Sequence, residues 1–209
     1  MKIFIVNVLI LALIGCSIKE DNVRSTVTVL DSVAQIDLGY DIKIVIPNVG
    51  SKFDTCIHYT HIEVWKKDKI IFRDTTDNEY MLMCNKTYTT VRQLNNSRYE
   101  VLIEKFDGPD TDKTLALYIN GDNFESEKIL PYFETVVEKV DGKDIYHGVL
   151  HTIDGYNNDS CYYNPTLYYQ ATYEGLMLDT VLTKRKVVEK WGKFYGYEQS
   201  DKIILPCKR

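Results

Sequence analysis

Apolar and polar residues alternate along most of this chain, and this alternation constrains the fold more than any other feature of the sequence. Residues 26–30 and 40–46 alternate in this way, with Gly39 and Pro47 as turn residues beside them. Successive side chains of a strand point to opposite faces of a sheet, so the pattern is typical of strands with one buried face. The sequence therefore predicts a mainly β protein built from antiparallel sheets.

The first half of the chain predicts a β-sandwich. Residues 26–121 contain about seven short strands at steady spacing, which is typical of a Greek-key sandwich. Tyr99 opens one of these strands directly after a turn, with Leu94 before the turn. This placement is similar to the tyrosine corner of immunoglobulin-like and fibronectin type III-like domains, and the resemblance covers residues 24–121. It implies an immunoglobulin-like antiparallel β-sandwich for this part of the chain.

A polar stretch, residues 122–128, is the candidate boundary between this sandwich and a second antiparallel β region. Residues 122–209 form either that second region or the continuation of one larger β domain. Asp141-Gly142 lies between two alternating runs and predicts a hairpin. Residues 166–173, 175–186 and 187–197 are predicted as further strands.

The N-terminus predicts export. One basic residue, Lys2, precedes an apolar run over residues 3–14. A transmembrane helix needs ~20 apolar residues, so this run is too short to span a bilayer. It instead has the length of the apolar region of a signal peptide. We therefore expect residues 1–15 to be a signal peptide.

The end of the apolar run, Leu13-Ile14-Gly15-Cys16, resembles the lipobox of bacterial lipoproteins. The resemblance implies that Cys16 carries acyl chains such as palmitate and becomes the mature N-terminus, with residues 16–25 as a polar tether. Lys19 followed by acidic residues is similar to the surface-export signal of Bacteroidota-type lipoproteins. The resemblance implies that the protein lies at the outer membrane or the cell surface and is attached to the membrane by its N-terminal lipid.

Five cysteines are present, so four remain if Cys16 carries lipid. An even number of cysteines in an exported chain is compatible with two disulfides, and four cysteines allow three pairings. We favour Cys56–Cys84 together with Cys161–Cys207, because each bridge then stays within one half of the chain. The alternative is four free and mostly buried thiols.

Charge and motifs exclude several classes of function. The net charge is −5 and no block of Lys or Arg occurs, which argues against a nucleic-acid partner. No Gly-rich phosphate loop, nucleophile motif or complete zinc pattern is present, so no cofactor, metal site or catalytic residue is predicted. Glu134 and Glu138 lie on a predicted strand where alternation alone would place polar residues, and His147 and His151 share one face of the next strand.

The most informative anomaly is aromatic, because many of the 16 tyrosines lie in the C-terminal half. Such rings on predicted half-buried strands suit a binding surface for sugars or for a protein partner. The alternative is simple packing at the rim of a sheet, since Tyr is a good β-former. The candidate binding surface consists of Tyr163, Tyr168, Trp191, Tyr195 and Tyr197.

The leading functional hypothesis is a surface-anchored lipoprotein that acts as a non-catalytic binding module for glycan or peptide. The alternative is a structural lipoprotein that docks on an outer-membrane protein through the same aromatic surface. A third hypothesis is a glycan-active enzyme, whose two carboxylates would meet only in the folded structure.

Overall fold

The computed structural model describes residues 26–30, 33–47, 52–53, 56–59, 61–74, 79–82, 90–106, 113–151 and 160–207, and these residues are mainly β, as predicted. The first strands are β1 (Thr26–Leu30), β2 (Val33–Gly39), β3 (Ile42–Ile46), β4 (Lys52–Phe53), β5 (Cys56–Tyr59), β6 (Ile62–Lys66), β7 (Lys69–Asp74), β8 (Glu79–Leu82), β9 (Thr90–Gln93), β10 (Arg98–Phe106) and β11 (Lys113–Asn120). The elements that follow are β12 (Asn123–Val140), β13 (Lys143–Val149), β14 (Ser160–Tyr163), β15 (Leu167–Thr172), β16 (Gly175–Leu178), α1 (Thr180–Trp191) and β17 (Ser200–Pro206).

A first antiparallel sheet, sheet one, has the strand order β1-β2-β3-β6-β7. Every second residue of β3 and β6 is buried, which confirms the alternation predicted there. The buried positions of β3 are Ile42, Ile44 and Ile46, and all three are fully enclosed. β-branched side chains pack well on a pleated surface, and the buried faces of β2, β3 and β6 together form the apolar layer of sheet one.

The larger antiparallel sheet, sheet two, has the strand order β16-β15-β13-β12-β11-β10-β8-β5-β4, and β9 also pairs with β10. β12 is 18 residues long and joins two hairpins. Its residues 123–131 pair with β11, and its residues 132–140 hold the pairs with β13. The polar stretch 122–128 therefore leads into and forms the start of a paired strand, and sheet two continues from the first part of the chain into the second.

β10 and β11 are buried on both faces and separate two apolar cores. On one face, Val101, Ile103 and Leu117 pack against the apolar layer of sheet one. On the other face, Leu102 and Ala116 belong to a second core. The remaining buried members of that second core come from β11, β12, β13, β15, β16 and the β9–β10 turn, and they are Leu94, Tyr118, Leu130, Phe133, Tyr146, Leu167, Tyr169 and Leu176.

Sheet two curls, because β16 and β10 lie far apart in strand order yet touch. The backbone N–H of Leu176 donates to Glu100 Oε1 at 2.9 Å, and the hydroxyl of Tyr118 donates to the same oxygen at 2.9 Å. Arg92 Nε donates to Glu100 Oε2 at 2.8 Å, and both side chains are buried. Gly175 has φ +118°, and a Cβ there would lie 2.7 Å from Glu100 Oε1, so only glycine fits. This network fastens the end of the curled sheet to β10.

Strands were predicted over residues 175–186 and 187–197. The prediction is confirmed at β16, and it is wrong over residues 180–197, where the helix α1 and the loop after it lie. Asp179 caps the helix by accepting a hydrogen bond from Leu182 N at 2.8 Å, and Gly192 ends it with φ 80°. These two residues are a typical helix start and stop, and the straight-chain Lys and Arg residues between them favour a helix. They outweigh the strand preference of the Val pair at 187 and 188.

The third sheet is small and consists of β14 and the last strand, β17. A disulfide joins Cys161 to Cys207, which is one of the two bridges favoured from the sequence. Cys161 packs with Tyr163, Val187 and Trp191 in a third apolar cluster, so the disulfide lies where α1 meets these strands. Cys84 and the side chain of Cys56 lie outside the described part of the structure, and their pairing stays a prediction.

Residues 1–25 also lie outside the described residues, so the signal peptide, the lipidated Cys16 and the tether stay predictions. Within the described part of the chain, no helix has both the length and the apolarity that crossing a bilayer requires. The immunoglobulin-like resemblance of the first half likewise stays a prediction. Its marker residue, Tyr99, packs on the first core with its ring centroid 5.2 Å from that of Tyr40.

Candidate functional site

Two members of the candidate binding surface are buried. Tyr163 is fully enclosed and Trp191 is 8% exposed, and their ring centroids lie 6.0 Å apart. The prediction of exposed contacts was wrong for both residues. A helix places residues four apart on the same side, so Trp191 lies beside Val187 on the side of α1 that faces β14 and β17.

Two further members, Tyr195 and Tyr197, belong to the segment that follows α1. Tyr195 is 40% exposed, and its ring lies edge-on to Tyr163 with the centroids 5.2 Å apart. Tyr197 is half-buried against the second core, and its ring centroid lies 4.9 Å from that of Phe194. The hydroxyl of Tyr163 donates to the backbone oxygen of Gly196 at 2.6 Å and so holds this segment in place. These rings mainly serve packing, although the outer edge of each reaches solvent.

The fifth member, Tyr168, lies in a different environment, on the outer face of sheet two. Register places Tyr168 of β15 directly opposite His147 of β13, on the face that points away from the second core. The two rings are edge-on with centroids 4.9 Å apart, and Tyr168 is half-buried. The backbone of Tyr168 is fixed by α1, because its N–H donates to Thr183 Oγ1 at 3.0 Å and its oxygen accepts from Asp179 N at 2.8 Å.

Two glutamates of β12 complete this group, which we call the Tyr168 site: Tyr168, His147, Glu134 and Glu138. His147 Nε2 lies 3.1 Å from Glu138 Oε2, and His147 Nδ1 lies 3.5 Å from Glu134 Oε2. The side chains of Glu134 and Glu138 are 52% and 38% exposed. Solvent screens such pairs, and each contributes no more than about 1 kcal/mol to stability. These pairs therefore contribute little to the stability of the fold, and the carboxylate oxygens are accessible to a ligand.

The hydroxyl of Tyr168 is a hydrogen-bond donor at neutral pH. Burial raises the pKa of Tyr168 above its ordinary value, and the negative charges of Glu138, Glu134 and Glu189 raise it further. The site thus combines a protonated phenol, an imidazole and two carboxylates around one partly exposed ring. These groups can donate to and accept from a ligand that is rich in hydroxyl groups.

The same geometry does not form a metal centre. Across the described ranges, no group of three or more His, Cys, Asp or Glu side chains is arranged so that it could hold a metal ion. His147 and His151 were predicted to share one face of a strand. Among the described residues, they do not meet a third side chain that could complete a metal site. Both nitrogens of His147 instead point at glutamates.

Sequence reasoning found the members of the Tyr168 site separately and did not join them. The hairpin at Asp141-Gly142 was predicted, and its register alone pairs Glu138 with Ile145. An irregularity between Phe133 and Val137 then shifts the register and allows Glu134 to reach His147. No residue type in this stretch marks that irregularity, so the pattern held no signal for the complete site.

We compared the chain with protein-family models, with curated proteins and with solved structures, and none of the three comparisons found a match. The candidate function therefore rests on the geometry of the Tyr168 site and on the sequence.

Proposed function

We propose that this protein is a lipid-anchored lipoprotein of the outer membrane or cell surface that binds a glycan without converting it. Cys16 would carry the anchor, and the folded part would present the Tyr168 site on the outer face of sheet two. The N-terminal sequence supports the anchor, and the contacts around Tyr168 support the ligand class.

The observation that carries the glycan proposal is a half-buried aromatic ring, that of Tyr168, bordered by His147 and two glutamates on the outer face of sheet two. A sugar ring has an apolar face that can lie on an aromatic ring, and hydroxyl groups at its rim. The free carboxylate oxygens of Glu134 and Glu138 can accept hydrogen bonds from those hydroxyls. Hydrogen bonds to charged groups contribute about 1.5–3 kcal/mol, which is enough to orient one sugar.

The position of the imidazole supports binding rather than hydrolysis. A glycosidase needs two carboxylates that flank the scissile bond with space between them for sugar or water. In the Tyr168 site the space between Glu134 and Glu138 is occupied by His147, which contacts both. A glycosidic bond could not take that position without displacing the ring.

Replacing Tyr168 with Ala is expected to weaken glycan binding at least tenfold, because the ring supplies the apolar contact. Tenfold corresponds to ~1.4 kcal/mol, which is within the range of one aromatic contact. Residues 17–209 would be screened on a glycan array, and the strongest hit would be titrated by calorimetry. Tyr173→Ala is the matched control, since Tyr173 is 68% exposed in the turn between β15 and β16.

Equal affinity of the wild-type protein and Tyr168→Ala for that glycan would rule out the Tyr168 site. A loss of affinity in Tyr173→Ala that matched the loss in Tyr168→Ala would also argue against it.

Replacing Cys16 with Ala is expected to abolish lipid attachment and cleavage, because only a thiol at this position accepts the lipid. Each buried methylene adds ~0.8 kcal/mol to membrane affinity, so two or more acyl chains on Cys16 would anchor the protein stably. Cells fed labelled palmitate should label the wild-type protein and not the variant. Cys84→Ala controls for loss of a thiol elsewhere. A Cys16→Ala chain that was still cleaved and labelled would contradict the anchor.

A further inference from the structure

The ring of Tyr168 differs from other aromatic rings of the C-terminal half in having no cation of the chain over it. A lysine lies over the rings of Trp191, Tyr195 and Phe194. Among the described residues, no Lys or Arg lies over the ring of Tyr168. The face of an aromatic ring is negative and attracts a cation, so this ring can still accept one from a ligand.

Carboxylates dominate the electrostatics around Tyr168. Burial raises the pKa of the hydroxyl on this ring, and the charges of Glu138, Glu134 and Glu189 raise it further. Glu189 is exposed on α1 and forms no salt bridge with any described residue. The two glutamates of β12 have only His147 as a salt-bridge partner within the described ranges. Three carboxylates therefore face at most one positive charge, that of the imidazole.

The cations on the neighbouring elements are directed elsewhere. Lys139 of β12 pairs with Asp144, and Lys143 of β13 donates to a glutamine side chain of β15 at 3.1 Å. On α1, Lys190 lies over the ring of Trp191, with Nζ 4.8 Å from the centroid. None of these three lysines contributes to the pKa of the tyrosine in the site. The negative charge of the Tyr168 site is therefore available to a ligand.

We propose that the glycan bound at the Tyr168 site carries free, positively charged amino groups. This inference rests on the proposed function and narrows its ligand class. An ammonium group can donate charge-assisted hydrogen bonds to Glu134 and Glu138, and these are roughly twice as strong as the bonds between neutral groups. The same positive charge is attracted to the face of the Tyr168 ring.

The charge of the site also selects against acidic glycans. A uronic acid or a sulfated sugar would bring a like charge next to three carboxylates, and such repulsion lowers affinity. An N-acetylated amino sugar is neutral, so it meets no repulsion and gains no ion pair. The Tyr168 site should therefore bind a free amino sugar most tightly, its N-acetylated form less tightly and an acidic sugar least.

The test compares three tetrasaccharides by calorimetry, with the full chain purified in detergent. The first consists of glucosamine, the second of N-acetylglucosamine and the third of galacturonic acid. The first two have the same backbone and differ only at the amine, most of which is protonated at about pH 7. We expect the glucosamine tetramer to bind at least tenfold more tightly than its N-acetylated form, and the galacturonate tetramer to show no binding.

Two double variants locate the source of this preference. E134Q/E138Q removes two charges of the site and keeps the size of both side chains, and we expect the affinity ratio of the first two tetramers to fall to within about threefold. E127Q/E174Q is the matched control, because it removes two charges at exposed positions of β12 and of the turn between β15 and β16. We expect the tenfold ratio to persist in this control. Y168A is expected to weaken the binding of both tetramers.

Three outcomes would overturn the inference. In the first, a neutral or acidic glycan binds through Tyr168 at least as tightly as the glucosamine tetramer, which leaves the glycan proposal standing and removes only the preference for amines. In the second, E127Q/E174Q abolishes the preference as fully as E134Q/E138Q does, which assigns it to the negative charge of the whole chain. In the third, the wild-type chain binds no glycan at all, which contradicts the proposed function as well.

Discussion

Replacing Glu100 with Ala is expected to lower the free energy of unfolding by about 3–5 kcal/mol, because it leaves a buried guanidinium without its counter-charge. The side chains of Arg92 and Glu100 are only 4% and 0% exposed. The substitution also removes the acceptor for Tyr118 and for the backbone N–H of Leu176, so the end of the curled sheet loses its attachment to β10. Urea denaturation followed by circular dichroism measures the change.

Glu125→Ala is the matched control for this prediction. Glu125 forms a two-bonded pair with Arg98, but the two side chains are 36% and 22% exposed. A pair this open to solvent contributes no more than about 1 kcal/mol. If Glu100→Ala proved no more destabilising than Glu125→Ala, the buried network would not hold the sheet.

Removing the disulfide between Cys161 and Cys207 is expected to cost about 4 kcal/mol. The two cysteines are 46 residues apart. Closing a loop of this length lowers the entropy of the unfolded chain, which at 25 °C raises its free energy by about 4 kcal/mol. Loss of the bridge frees β17, which pairs only with β14 among the described strands. We expect the third cluster around Trp191 to open before the two larger cores do.

Tryptophan fluorescence distinguishes the opening of the third cluster from the unfolding of the two larger cores. The chain has two tryptophans, and Trp65 lies in sheet one, so a Trp65→Phe background makes Trp191 the only reporter. In C161A/C207A the urea midpoint of Trp191 fluorescence should fall below the midpoint of circular dichroism. Coincident midpoints, together with unchanged stability, would show that the bridge does not hold the C-terminal part.

The strands of the sandwich-like part could be predicted because each one carries its own signal. β3 and β6 alternate cleanly, since one face of each lies on the first core and the other meets solvent. The helix could not be recognised in the same way, because Val187, Val188 and the aromatic residues after them favour a strand locally. Asp179 and Gly192 were the available helix signals, and the apolar spacing between them is irregular.

The Tyr168 site was only partly accessible from sequence, for a different reason. The position of Tyr168 on the outward face followed from alternation around Tyr169, whose side chain enters the second core. The partners of Tyr168 come from other strands, and their meeting depends on register and on the irregularity in β12. The burial of Tyr163 and Trp191 depends on α1. The prediction of a strand over residues 187–197 therefore placed Trp191 at the surface, and it provided no helix to cover Tyr163.

The most direct test of the glycan proposal is backbone amide NMR of residues 17–209 during titration with the strongest glycan hit of an array. We predict that the largest shift changes lie at His147 and Tyr168 and at their neighbours on β13 and β15, and that Tyr168→Ala removes them. Shift changes confined to sheet one, or the absence of any glycan that binds the wild-type chain, would contradict the proposal.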